Sequence, residues 1–392
     1  MRLNYKKLGK YIQVVDIRNR QLEVDLLLGV SVKKIFIPSI ANTVGTDFKK
    51  YKIVKRSQFT YIPDTSRRGD KIGLAMLEDH DIALVSQAYT VFEIKNQEEL
   101  SPEYLMMWFR RAEFNRYARY KSHGSVREIF DWDEMCEIEL PIPSIEKQRE
   151  IVKEYNTIVN RIELNETLNK KLEETAQVLY KHWFVDFEFP NTEGRPYKSS
   201  GGKMVFNEEL DKEIPLRWES KKIEDVSQLS YGKMLDSNLF IDYGYPVFSG
   251  YGLRGYYSEF MFEKPQILVL CRGVSGTGRV VMSPPFSYIT NLSIVVKVDK
   301  EKLKKEFSYY YLKNDNLRLL DSGSAQSQIT TGDLGARNVL VPFMNIQSDF
   351  GIHINGIEDY YNQIKLTSEK LEKLKSIILS KMSKVELEKE LV

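Results

Sequence analysis

The sequence predicts an α+β fold in which two globular α/β domains are joined by two long helices, paired as an antiparallel coiled coil, in a pseudo-two-fold internal repeat. Three observations carry this. The stretch Ser144 to Phe184 holds neither glycine nor proline and keeps an apolar stripe at helical spacing. Ile357, Ile364, Leu371, Ile378 and Val385 recur every seventh residue near the other end of the chain. Motifs of the first half return in the second at a period of about 200 residues.

Residues 1–143 read as the first domain. Lys34 to Ile37 and Ile82 to Val85 suit strands, and Asn42, Gly45, Gly69 and Gly73 punctuate them as turns. Ser101-Pro102-Glu103 is a helix start, with the serine as cap, the proline at the first position, and Tyr104, Leu105, Met107, Trp108 and Phe109 turned inward. Residues 144–189 are the central helix, capped by Ser144 with Glu146 in its electropositive first turn. Ile151, Tyr155, Ile158, Ile162, Leu172, Ala176, Leu179 and Trp183 form its seam, interrupted by Asn165 and Asn169. At about 1.5 Å per residue this helix spans about 60 Å, the length of a spacer between bodies. Residues 190–217, punctuated by Gly, Ser and Pro, read as a linker; residues 218–343 are the second domain and 344–392 the second long helix.

The repeat matches Leu140-Pro141 and Ile145 to Val341-Pro342 and Ile346, and Lys6-Lys7-Leu8 to Lys221-Lys222-Ile223. The unit is a domain followed by a helix, twice. Antiparallel pairing brings the helix midpoints together, so Asn165 is expected to meet Thr367 and Ser368 in a buried polar layer that fixes register. The aromatic exit Trp183, Phe184 and Phe187 is either core or a docking surface. Two separated domains with basic patches suit a two-part duplex target.

Composition narrows the class. The chain has 392 residues, 2 cysteines, 4 histidines and a formal charge of +2. Cys136 and Cys271 are too isolated for a disulfide framework or a cysteine zinc site, and the histidines lack metal-ligand spacing. No apolar run is long enough to span a bilayer and the polar start MRLNYKKLGK is no signal peptide, so a cytoplasmic location is expected. Near-neutral charge means that any nucleic-acid contact must come from local patches.

Half-site recognition needs phosphate clamps together with donors and acceptors aimed at base edges. In the first domain Asn42, Thr43, Thr46, Tyr61, Ser66, Arg67 and Arg68 offer such groups from loops, with Lys49 and Lys50 as phosphate contacts. In the second, Tyr231, Lys233, Ser249, Tyr251, Arg254, Arg272 and Ser275 combine with glycines that permit close backbone approach. Three patterns imitate enzymes. Phe248 to Gly252 has the form of an S-adenosylmethionine loop and Ser283 to Phe286 that of an amino-methyltransferase motif, but too few residues separate them for the usual intervening units. Asp64 with Glu93 and Lys95 fits a loose Mg²⁺ nuclease pattern, and Arg272 to Gly278 lacks the lysine of a nucleotide-phosphate loop. The competing classes are thus a stand-alone metal-dependent nuclease or adenine methyltransferase, and a coiled-coil scaffold.

ELPIPSIEKQREIV entering the central helix, LYKHWFVDFEFP leaving it, the phrase EIPLRWESKKIEDV, and the Gly-Ser segment before each helix together resemble specificity subunits of type I restriction-modification systems. The resemblance covers essentially the whole chain in the family's order of target-recognition domain, conserved helix, target-recognition domain, conserved helix. The second helix departs from it, with Phe343-Met344-Asn345 where the first has Ile142-Pro143-Ser144. It implies a non-catalytic subunit that reads a bipartite double-stranded DNA site. It also implies binding to modification (methyltransferase) subunits, two per complex, and to restriction (ATP-driven nuclease) subunits. S-adenosylmethionine, ATP and Mg²⁺ would then sit on those partners, with no cofactor or metal on this chain, and Trp183, Phe184 and Phe187 would dock a modification subunit.

Overall fold

The computed structural model describes residues 5–40, 45–65, 71–124, 128–273, 276–321 and 327–384. The chain divides into two units, Met1–Glu166 with Leu366–Val392, and Thr167–Lys365. The division falls inside both long helices, Ile145–Phe184 and Met344–Lys381, so each unit owns a globular part and a portion of each helix.

In the first unit a four-stranded antiparallel sheet runs in the order Ile12–Val15, Thr90–Ile94, Phe59–Tyr61, Leu74–Met76. Helix Pro102–Phe109 packs on it, started as the sequence predicts: Ser101 Oγ accepts from Tyr104 N, and Tyr104, Leu105, Met107, Trp108 and Phe109 are buried. Tyr5–Lys7 pairs with Glu139–Pro141 and leads the chain into the long helix, where Ser144 Oγ accepts from Lys147 N. Tyr155, Ile158 and Ile162 are buried and Ile151 half-buried along that helix, while Met382 shares the same core and Ile378 packs against it. Leu371 is half-buried on the returning helix. The two segments therefore run antiparallel. Near Glu166 the seam turns polar: Asn165, 2 % exposed, donates through Nδ2 to Ser368 Oγ at 3.0 Å.

The second unit repeats this plan. Its four-stranded sheet runs Ser227–Tyr231, Ser293–Val298, Ile267–Leu270, Val280–Met282, all antiparallel, and Glu219–Lys222 pairs with Asn338–Val341. Lys305–Asn314 stands where Pro102–Phe109 stands in the first unit. Ala176, Tyr180, Trp183 and Phe184 share a core with Ile346, Phe350 and Ile354, and Leu179 and Ile357 pack against it. Leu172 is half-buried and Ile364 buried, so every predicted seam position among the described residues is at least partly covered; Val385 lies outside them.

The repeat also shows in one polar device that the sequence reading missed. Gln148, fully buried, accepts from Ser101 N at 2.9 Å through Oε1 and donates through Nε2 to the carbonyls of Glu99 and Pro143, both at 2.9 Å. Gln347, also fully buried, accepts from Lys304 N at 2.8 Å and donates to the carbonyls of Lys302 at 3.2 Å and Pro342 at 2.8 Å. Each glutamine ties the start of a domain helix to the entry of a long helix. It supplies partners for backbone groups that burial would otherwise leave unpaired.

Three expectations are corrected. The repeat register slips by two residues: Lys7 faces Glu139 and Lys222 faces Asn338, so Leu140 corresponds to Val339 and Pro143 to Pro342. Residues 190–217 are no loose linker. Met204–Asn207 and Lys212–Pro215 form a hairpin, and Phe189 stacks on Tyr197 at 4.6 Å and on Trp218 at 4.9 Å. Trp183, Phe184 and Phe187 are at most 5 % exposed; Phe184 meets Phe307 at 4.6 Å and Phe350 at 5.0 Å. Rings so packed belong to the core, where each contributes about 1.5–3 kcal/mol, and present no docking face.

Candidate nucleic-acid interface

The second unit brings three candidate side chains together. Strand Ile267–Leu270 ends in the buried Cys271, whose amide donates to Leu292 O and whose carbonyl accepts from Ile329 N. Arg272 follows at this edge, bridged to Gln328, with its side chain exposed. Tyr251 Oη donates to the Arg272 carbonyl at 3.3 Å, and the Arg272 guanidinium lies 6.0 Å from the centre of the Tyr231 ring. Tyr231 is fixed in turn, its hydroxyl accepting from Thr331 N at 3.2 Å. Gly273 has a φ of 117°, and a Cβ there would collide with Tyr251 Oη, so only glycine leaves that hydroxyl its place.

Lys233 and Arg254 are exposed, the latter on strand Gly252–Tyr257. Among the described residues no carboxylate forms an ion pair with Lys233, Arg254 or Arg272. Ser249 is corrected: it is fully buried and its Oγ accepts from Tyr251 N at 3.1 Å, so it supports Tyr251 rather than facing a ligand. The close approach at Gly232 is likewise internal, since a Cβ there would collide with the Thr290 carbonyl oxygen. Ser275 lies outside the described residues.

In the first unit Asn42, Thr43, Ser66, Arg67 and Arg68 lie outside the described residues. Thr46 is half-buried beside Asp47, whose carboxylate accepts from Lys49 N and starts the turn Phe48–Lys50. Lys49 and Lys50 are exposed, Lys50 within 3.6 Å of Asp47. Tyr61 is corrected. It is 1 % exposed, edge-on to Phe92 and Phe130, and burial pushes its hydroxyl well above the usual tyrosine range. Acids hold much of the apparent basic surface: Arg56 pairs with Asp81 at 2.9 Å, Arg119 with Glu128, and Lys121 with Glu134 at 3.1 Å. Burial lowers the Lys52 ammonium, which donates to Tyr89 O at 2.7 Å.

One correspondence between the units is visible only in the structure. Pro63 O accepts from Phe130 N as Cys271 O accepts from Ile329 N, and Asp64 bridges Ile129 as Arg272 bridges Gln328. Asp64 therefore holds in the first unit the place that Arg272 holds in the second. Asp64 and Arg272 are further apart in number than Leu140 and Val339, so no single repeat register in the sequence finds this pair.

A family model described as the type I restriction modification DNA specificity domain matches residues 9–174 and again residues 215–376. The chain belongs to this family. The MjaIX type I restriction enzyme specificity subunit of Methanocaldococcus jannaschii is 35% identical over 130 residues, 33% of this chain and 28% of that protein. The HindI specificity subunit of Haemophilus influenzae is 29% identical over 151 residues, 38% of this chain and 32% of that protein. These alignments span about a third of the length of each relative. The S subunit of the type I restriction-modification system from M. genitalium superimposes with a TM-score of 0.60, covering 98% of this chain and 96% of that one at 15% identity, which shows a shared fold.

Within this type I specificity-domain chain the enzyme-like segments are taken up by the fold. Phe248 and Ser283 to Pro285 do line one cleft of about 750 Å³ together with Tyr309 and Tyr310. Yet Ser283 Oγ is buried, accepting from Gln266 N at 2.9 Å and donating to Pro284 O at 3.1 Å. Gly250 lies against Leu270, where a Cβ would meet the leucine Cβ at 2.5 Å. Glu93 accepts from Gln13 and Gln58, and Lys95 donates to the carbonyls of Gly9 and Lys10. Among the described residues no group of three or more His, Cys, Asp or Glu could hold a metal, and no helix is long and apolar enough to cross a membrane.

Proposed function

We propose that this chain is the DNA-recognition subunit of a type I restriction-modification assembly, reading a bipartite target with one half-site per unit. The doubled match carries this reading. The family model falls once on each half of the chain, and the halves share one sheet order while differing in the side chains at the equivalent loop edge. One scaffold carrying two edge chemistries suits two different half-sites.

In this proposal the chain carries no chemistry, and the internal hydrogen bonds of Ser283 and Glu93 favour that. Methylation belongs to modification subunits, two per complex, with S-adenosylmethionine; cleavage belongs to restriction subunits with ATP and Mg²⁺; the assembly works in the cytoplasm. The paired helices set the length of the uncontacted spacer, the polar contact of Asn165 and Ser368 holding their register.

The test is methylation of DNA by the purified chain with S-adenosylmethionine, with and without its modification subunit. Sequence-specific binding by the chain and methylation only with the partner are expected. Exchanging residues 1–143 for the same region of another family member should change one half of the methylated motif. Methylation by the chain alone, or a change in both halves, would overturn the proposal.

A further inference from the structure

Resting on that recognition role, we infer that Arg272 reads a guanine in the half-site of the second unit. Three features separate it from an ordinary surface cation. Its backbone is held on both sides, by the bridge to Gln328 and by the Tyr251 hydroxyl on its carbonyl. Its guanidinium lies 6.0 Å from the centre of the Tyr231 ring, at the outer reach of a cation–π contact, which favours one side of the space open to the planar fork. Among the described residues no carboxylate occupies that fork, so its donors remain available. A phosphate clamp needs charge and tolerates motion, whereas a base reader needs a fixed direction; guanidinium matches the O6 and N7 acceptors of guanine bidentately.

The first unit supplies an independent argument. Asp64 stands at the equivalent place. An equivalent place that carries Arg in one unit and Asp in the other varies in charge, as suits a position tied to one half-site more than a phosphate contact common to both. Base edges offer both donors and acceptors, and a reading position can therefore carry either sign.

The test is the methylated motif produced by the full chain together with its modification subunit, for the wild type, Arg272→Ala and Arg272→Lys. The wild-type motif should contain a G·C pair in the half that does not change when residues 1–143 are exchanged. Arg272→Ala should relax that pair alone, with discrimination falling about ten- to a hundredfold. Arg272→Lys keeps the charge but lacks the fork; it should relax the same pair, and it carries the test if the alanine variant does not fold. A uniform loss of modification at every sequence with the motif unchanged and a shallower salt dependence would make Arg272 a phosphate contact and overturn the inference. So would an unchanged motif at unchanged affinity. Either result leaves the recognition role standing; that role fails separately if the wild-type assembly shows no sequence preference.

Discussion

Gln148 and Gln347 make the same three hydrogen bonds in the two halves of the chain, each taking one backbone N–H at a helix start and giving to two carbonyls. Both are fully buried. Replacing either by leucine strands one donor and two acceptors away from water. We expect Gln148→Leu and Gln347→Leu each to cost about 2–5 kcal/mol, read as a lowered midpoint in urea denaturation. A loss below about 1 kcal/mol at both sites would show that water replaces the amide.

Asn165 Nδ2 donates to Ser368 Oγ at 3.0 Å where the helices of the first unit pair. Asn165→Ala should destabilise by about 1–3 kcal/mol, and a double-mutant cycle with Ser368→Ala should give a coupling of about 0.5–1.5 kcal/mol. Additive single effects would mean that the two side chains do not pair in solution.

Trp183→Ala tests whether the aromatic exit is core. With Trp183 5 % exposed, 5.9 Å from Phe350 and edge-on to His353, a loss of about 3–5 kcal/mol is expected. Unchanged stability with lost co-purification of a modification subunit would restore the docking reading.

Lys34 gives the chain a dependence on pH. Its Nζ donates to Ile72 O at 2.8 Å and faces the Phe114 ring at 4.9 Å, and burial pushes its ammonium down to about 7 from 10.5. Between those values the unfolded chain binds more protons than the folded one, so stability rises with pH through that window. Below about pH 7 the burden of the buried charge is present in full. Lys34→Met should flatten this slope and raise stability at pH 6, by on the order of 2 kcal/mol after the lost hydrogen bond is counted. Urea titrations at pH 6 and pH 9 provide the comparison; equal slopes for the two proteins would contradict it.

What the sequence revealed follows from the range of the forces involved. The long helices and the start at Ser101-Pro102 are legible because periodicity and capping are local. Tyr61 is misplaced because YIPDTSRR has the composition of a surface loop, while pairing to Thr90 and Leu74 keeps its first residue in the sheet. The basic and aromatic stretch from Arg110 to Arg127 reads as a patch, yet Arg110 pairs with Glu78 from a distant strand end and Arg119 with Glu128 just beyond the stretch. Such pairing depends on the fold and leaves no trace in local composition. The repeat register slips because the apolar-proline pairs Leu140-Pro141 and Val341-Pro342 look alike, and only the ladders opposite Lys7 and Lys222 decide between alignments.

The make-up of the two units has a consequence for biosynthesis. Thr167–Lys365 is one continuous segment, whereas the first unit combines residues up to Glu166 with residues from Leu366 onward. The link is concrete: Tyr5 Oη donates to Ser383 O at 3.0 Å, and Met382 is buried beside Tyr155 in one core. A ribosome makes the N-terminal domain first, but its missing wall emerges nearly two hundred residues later. The second unit needs no segment made after Lys365. The first keeps the apolar stripe around Tyr155 open until the segment that carries Met382 and Ser383 has left the ribosome.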